Sequence, residues 1–204
     1  MPGAEPFDAV VLAGGAARRM GGGDKPGLTV GGTPLVERVA AAARAAAALV
    51  VVGPPRERPA ARYVREDPPG AGPVPALRAG LTRVERPWFA LLAGDLPFVR
   101  PEDVAALLAA ARRNGAGAVL VDGGGRPQWL LGAWRTERVR AALADYTGGS
   151  LRGLLGPLGP ALLPAAALGG GSWAAFDCDT PEELAAARAV PADPAADRPG
   201  GPHA

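Results

Sequence analysis

Short apolar runs closed by glycine or proline alternate along this chain with alanine-rich amphipathic stretches, and that alternation predicts strands followed by helices. Ala9 to Ala13 is a compact apolar run ending in Gly14-Gly15, which reads as a buried strand feeding a tight loop. A helix is expected from Pro34 to about Ala48, with Thr33 placed to cap it and Pro34 suited to its first turn. Leu49 to Val52 is a second strand, stopped by Gly53-Pro54-Pro55. Arg62 to Arg65 is a third, ending at Asp67-Pro68-Pro69-Gly70. Val74 to Val84 has a helical pattern, Trp88 to Ala93 reads as a buried strand, and Pro101 to Asn114 as a helix closed by Gly115.

Further strands are expected at Val119 to Val121 and Trp129 to Trp134, around the turn Gly123-Gly124-Gly125, with a helix over Thr136 to Asp145. Residues 148–171 follow no regular period and suit a lid or an oligomer contact. Thr180-Pro181-Glu182-Glu183 carries a capping box with proline at the first helical position, so a last helix should run to about Val190. From Pro191 to Ala204 there is no apolar period, which predicts a disordered tail after one folded domain over 1–190. The order as a whole implies an α/β fold, a mostly parallel sheet covered on both faces, with ligands at the carboxyl ends of strands.

Composition narrows the chemistry more than the fold. The chain has 204 residues and a formal net charge of only +2, with no Lys/Arg run to mark a nucleic-acid or membrane surface. One cysteine, Cys178, rules out an internal disulfide framework and any multi-cysteine zinc site. It reads as a small buried side chain rather than a nucleophile. The single histidine, His203, lies in the expected tail, so no histidine triad or histidine general base is expected in the folded body. The amino-terminal residues lack the basic start of a signal peptide, and no apolar stretch is long enough to span a bilayer; a cytoplasmic protein is expected.

Three places can carry chemistry. Leu12 to Lys25, LAGGAARRMGGGDK, follows the first strand. Its glycines let backbone approach a ligand, and Arg18, Arg19 and Lys25 supply charge, although a glycine-rich connection with solvated basic residues reads the same way. It is not a Walker loop, because Lys25 is flanked by Asp24 and Pro26, and the dinucleotide fingerprint spacing is absent there. Asp95, in Leu91-Leu92-Ala93-Gly94-Asp95-Leu96-Pro97, ends a buried strand and suits Mg²⁺ shared with phosphates, or equally starts a turn before Pro97. In Asp177-Cys178-Asp179-Thr180, alternation puts Asp177 and Asp179 on one side and Cys178 on the other; capping accounts for Asp179 but not for Asp177. Asp67, after the third strand, is a further crevice residue or a turn aspartate.

In this order, LAGGxxxRMGxxDK, PGAGPxxAL, LAGDLPF and DxDTPEEL resemble the nucleotidyltransferases of molybdenum cofactor biosynthesis, most closely the molybdenum cofactor guanylyltransferases. The resemblance covers about Asp8 to Val190. It implies a Rossmann-like three-layer nucleotidyltransferase fold with a mixed, mostly parallel sheet. It also implies GMP transfer from GTP to the terminal phosphate of molybdopterin, with GTP and molybdopterin as substrates and Mg²⁺ as cofactor. Other proteins of that pathway, or recipient molybdoenzymes, would be transient partners. By the same resemblance Leu12, Ala13, Gly14 and Gly15 receive the nucleoside, Arg19 and Lys25 contact the triphosphate and act in catalysis with Asp95, and Asp67 lies near the nucleotide. Asp95 binds Mg²⁺ with Asp177 beside it, and Asp179 stands on the pterin and metal side. Gly53 falls at a nucleotide-binding position where these enzymes tend to carry a polar residue. Gly14 favours guanine over cytosine, because related cytidylyl enzymes tend to read Leu-Ala-Ala-Gly.

Overall fold

The structure is a computed structural model that describes residues 5–14, 24–168 and 171–190. Seven strands form one sheet in the order β5-β4-β1-β6-β8-β7-β9. They are β1 (Phe7–Leu12), β4 (Leu49–Val52), β5 (Arg62–Val64), β6 (Trp88–Ala93), β7 (Gly117–Val121), β8 (Pro127–Arg135) and β9 (Ala161–Pro164). Only β8 runs against its neighbours β6 and β7; the other pairings are parallel. The expected α/β class with a mixed, mostly parallel sheet is the architecture found. A separate two-stranded hairpin, β2 (Thr29–Val30) and β3 (Thr33–Pro34), sits apart from the large sheet.

The two-residue period of β1 explains the layering. Ala9 and Val11 face one apolar layer, completed by Val36 and Val39 of α1 (Leu35–Ala42) and Val104, Leu107 and Leu108 of α3 (Pro101–Asn114). Val10 and Leu12 face the other. There Val74, Leu77 and Leu81 of α2 (Pro73–Leu81) pack with Val139 and Leu143 of α4 (Thr136–Asp145) and with α5 (Leu151–Leu155). A smaller cluster joins Val30, Leu35, Phe98 and Cys178 to Leu184 and Ala187 of α6 (Pro181–Ala189), with Trp173 edge-on to Phe98 at a centroid distance of 5.3 Å. No helix among the described residues is long and apolar enough to cross a membrane.

Three expectations are revised. The helix expected over 34–48 ends at Ala42, because the alanines after it turn to serve the sheet: Ala47 N–H donates to Phe7 O at 2.7 Å and Ala9 N–H to Ala48 O at 2.9 Å. Backbone pairing with β1 overrides alanine's helix propensity there. Thr33 makes no cap, since Thr33 and Pro34 pair with Val30 and Thr29, leaving Pro34 at the N-cap. The stretch expected to be irregular holds α5 and the edge strand β9, whose four residues are too few for a period to show. By contrast, β4, β6, α3 and α4 begin and end where expected, and Thr180 and Glu183 close the anticipated capping box. Pro191 to Ala204 lie outside the described residues.

Asp8 ties β1 to the far end of α2's connection. It is buried, and its Oδ2 accepts from the backbone N–H groups of Glu85 and Arg86 at 2.7 and 3.1 Å. Replacing it by alanine strands two donors, so Asp8→Ala should lower unfolding free energy by ~2–3 kcal/mol. Urea unfolding of the two proteins checks this, and a loss under ~0.5 kcal/mol would show that water satisfies those groups instead.

Candidate functional site

The strand order reverses at β1: the chain proceeds from β1 through β4 to β5, then returns to place β6 on β1's other side. Crevices open at the carboxyl ends of strands where such a reversal occurs. Here β1 is hemmed in closely. A Cβ at Gly53, just after β4, would lie 2.9 Å from Ala13 O, and one at Gly94, just after β6, 3.0 Å from Ala13 Cα. Bare backbone on both sides therefore lets the loop after β1 emerge between its neighbours. That same closeness explains why position 53 carries no polar side chain.

Two clefts meet at this point. The smaller, about 510 Å³, is walled by Ala13, Gly14, Gly53, Arg56, Arg65 and Lys25, among others. The larger, about 1110 Å³, reaches from Leu12 and Gly14 past Asp95, Asp177 and Asp179 to Trp129 on β8 and Arg152 on α5. Gly14 and Glu66 belong to both.

Lys25 stands at the junction. It begins a 3-10 turn (Lys25–Gly27), and its ammonium donates to the carboxylates of Asp95 and Asp179. Burial pulls the ammonium's pKa down, but the hydrogen bonds to Asp179 and Asp95 outweigh it and hold the value above the ordinary lysine level. Asp24 is clamped by Arg56, whose Nη1 donates at 2.6 Å and whose Nη2 donates to the other carboxylate oxygen. That hydrogen bonding keeps the Asp24 carboxyl below its usual range. The turn carrying Lys25 is thereby anchored to the loop after β4.

Asp95 follows β6 after one residue, Gly94, and its Oδ1 is buried with no hydrogen-bond partner among the described residues. Asp177 and Asp179 flank buried Cys178, and the aromatic cluster of Phe98, Trp173 and Phe176 holds this segment beside Asp95. Burial, with help from Asp95, pushes the Cys178 thiol up to about 12, so it stays protonated and unreactive. The Asp177 carboxyl is exposed at the cleft wall. Partial loss of water, then Asp179, Asp95 and Glu183, raise its pKa, and Lys25 offsets only part of this.

Of the residues singled out from sequence, Lys25 touches both Asp95 and Asp179, while Leu12, Gly14 and Asp177 share the larger cleft and Ala13 and Gly53 the smaller. Gly15, Arg18 and Arg19 lie outside the described residues. Asp67 is exposed and lines neither cleft; its neighbour Glu66, buried, lines both. Glu66 was legible in principle, because alternation carried on from the inward Val64 selects 66 and not 67. Arg56, Trp129 and Arg152 carried no sequence signal beyond their type. Among the described residues no three acidic or histidine side chains converge as a ready-made metal cage.

A family profile described as "MobA-like NTP transferase domain" matches residues 9–162. The chain belongs to the MobA-like NTP transferase family. A probable molybdenum cofactor guanylyltransferase of Natronomonas pharaonis is 31% identical over 194 residues, covering 88% of this chain and 95% of that one. A molybdenum cofactor guanylyltransferase of a Bradyrhizobium species is 35% identical over 153 residues, with 67% and 71% covered. Among solved structures, molybdopterin-guanine dinucleotide biosynthesis protein A from Archaeoglobus fulgidus superposes with TM-score 0.73 at 21% identity, covering 89% of this chain and 97% of that one. A 2-C-methyl-D-erythritol 4-phosphate cytidylyltransferase from Thermus thermophilus superposes with TM-score 0.67 at 25% identity, covering 90% and 98%. This MobA-like chain is thus a nucleotidyltransferase of molybdenum cofactor biosynthesis, and the matched span contains the Lys25–Asp95 contact.

The crowding around Asp177 has a measurable cost. Its pKa lies above the unfolded aspartate value, so the charged form weakens the fold at neutral pH, and stability is regained as pH falls through the raised value toward the unfolded one. Asp177→Asn should raise the unfolding temperature of the ligand-free protein by roughly 1–3 °C at low salt, the scale of a surface charge interaction. The gain should shrink in 1 M salt, where screening reaches ~3 Å. Scanning calorimetry at both ionic strengths checks it, and a variant less stable than wild type would contradict the repulsion.

Proposed function

We propose that this enzyme transfers GMP from GTP to the terminal phosphate of molybdopterin, releasing pyrophosphate. The observation that carries the reading is Lys25 bridging Asp95 and Asp179, which draws the loop after β1, the end of β6 and the segment before α6 to one point. The named relatives support guanylyl transfer to the molybdenum cofactor.

The acceptor phosphate oxygen attacks the α-phosphorus, forming one P–O bond while the bond to the β-phosphate bridging oxygen breaks. A phosphate monoester has its second pKa near ~6, so the attacking oxygen is already mostly ionised at neutral pH and needs no general base. Among the described residues that line the clefts there is no histidine. The chain's task is to align two polyanions and neutralise charge gathering on the leaving pyrophosphate. Lys25 supplies charge from one side, with Arg19 expected beside it from the loop. Leu12, Ala13 and Gly14 offer backbone to the nucleoside, with Gly15 next in the loop and Gly53 on the wall of the smaller cleft. The larger cleft, with Trp129, Arg152 and Asp179, receives the pterin.

The donor set fits Mg²⁺ in the way that ion prefers, through one or two carboxylates plus substrate phosphates. The buried, unpartnered Oδ1 of Asp95 is an acceptor in want of a ligand, and Asp177 lies near enough for the two charges to be felt. Asp95 and Asp177 would hold the ion, which when bound supplies charge neutralisation on the phosphates.

Lys25→Ala and Asp95→Ala should keep the wild-type circular dichroism spectrum and lose on the order of 10²-fold or more in kcat, as for other preorganised charge-stabilising groups. A radiolabelled GTP transfer assay measures this, and a near wild-type rate in either variant would sink the assignment. The likeness to a cytidylyltransferase makes CTP the competing donor. Pyrophosphate release with each of the four NTPs should be largest with GTP, and preference for CTP would replace the guanylyl reading.

A further inference from the structure

Glu66 is the unexplained group of the site. It is 94% buried by its 6% relative exposure, yet only Oε1 is engaged, accepting from Gly70 N–H at 2.9 Å. Its Oε2 is buried with no partner among the described residues. A buried carboxylate oxygen without a donor is costly, and the cost points to a donor that arrives with a ligand. The direction is given by Gly14: a Cβ built there would lie 3.5 Å from Oε1 and 3.7 Å from Oε2. Both oxygens therefore border, side by side, the space that a side chain on Gly14 would fill. That space is the junction of the two clefts. Of the cations lining the smaller cleft, Lys25 is engaged with Asp95 and Asp179 and Arg56 with Asp24.

We propose that Glu66 is the specificity-determining residue for the base, its two carboxylate oxygens accepting from N1–H and the exocyclic N2 amine of guanine laid over Gly14; this rests on the guanylyl reading above. Two adjacent acceptors select two adjacent donors, as in paired carboxylate recognition generally. Among the four common bases only guanine offers them on one edge. Adenine sets its amine beside the acceptor N1, cytosine sets its amine beside the acceptor N3, and uracil flanks its one N–H with carbonyls. A mismatched base leaves the buried carboxylate facing an acceptor, which rejects it more strongly than a missing contact would. The carboxylate equally repels phosphate, so the nucleoside end lies at Glu66 and the triphosphate toward Lys25.

Inosine triphosphate, which keeps N1–H and lacks the amine, isolates one of the two bonds. Dissociation constants by titration calorimetry, with magnesium and no acceptor, should show wild type binding GTP about 10–100-fold more tightly than ITP, the worth of a hydrogen bond to a charged group. Glu66→Gln is nearly isosteric and keeps an acceptor for Gly70 N–H, so it should fold. It turns one acceptor into a donor, so GTP binding should weaken by a similar factor and the GTP-to-ITP ratio should fall toward one. A purely structural role would lower both affinities together and leave the ratio unchanged, and that result overturns the proposal. So does a wild-type protein that binds GTP and ITP alike. A wild-type chain that prefers CTP to both overturns the guanylyl reading as well, and that preference tells the two failures apart.

Discussion

A single ammonium, that of Lys25, is shared between carboxylates 70 and 154 residues away in sequence, and the site exists only while that sharing holds. Three segments converge on it: the turn after the glycine loop, the end of β6, and the strand-like run before α6. Each is held by its own means. Asp24 and Arg56 fix the turn, the parallel pairing of β1 with β6 fixes Asp95, and the aromatic cluster around Phe98 fixes the Asp177–Asp179 run. The chemistry is thus assembled from local anchors, and none of them is itself a reacting group.

The sheet makes the convergence possible. The parallel strands point their carboxyl ends the same way, and the strand order reverses at β1. Gly53 and Gly94 then determine how near the flanking strands come: a methyl group at either would meet Ala13 within about the distance real Cβ contacts avoid. Position 53 is thereby closed to side chains by packing, so any side-chain contact at this junction must come from other residues that line it.

Much of this was legible from sequence because it depends on short-range rules. β6 and α3 are bounded by glycine, proline and asparagine in the positions those residues prefer, and the box at Thr180 and Glu183 formed as its spacing required. Lys25 was marked by the glycine-rich stretch it closes, Asp95 by its place after a buried strand, and Asp179 by its alternation with Asp177 around Cys178. What escaped notice depends on long-range geometry. The alanines after Ala42 are excellent helix formers that β1 recruits for its own backbone, and β9 is a strand only because β7 offers an edge. Asp67 attracted attention as an aspartate before proline. The pleat, which a reading of turns ignores, instead sends Glu66 into the cleft.

The charge balance of the larger cleft carries the last step. Glu66, Asp95, Asp177 and Asp179 line it, and the Asp177 carboxyl is pushed upward first by burial and then by the charges of Asp179, Asp95 and Glu183. Among the described residues Arg152 is the one cation lining it, with Lys25 in the adjoining cleft, so on the proposed reading a triphosphate and a second phosphate ester meet more acid than base there. At short range and reduced dielectric, each added unit of like charge costs on the order of several kcal/mol. On the proposed reading a divalent cation entering with the nucleotide would offset that charge, and the Asp95 oxygen left without a partner among the described residues is a ready place for it. On that reading an acid-rich cleft that disfavours bare phosphates would favour their metal complex, so the carboxylates that crowd the empty cleft are the ones the loaded one would use.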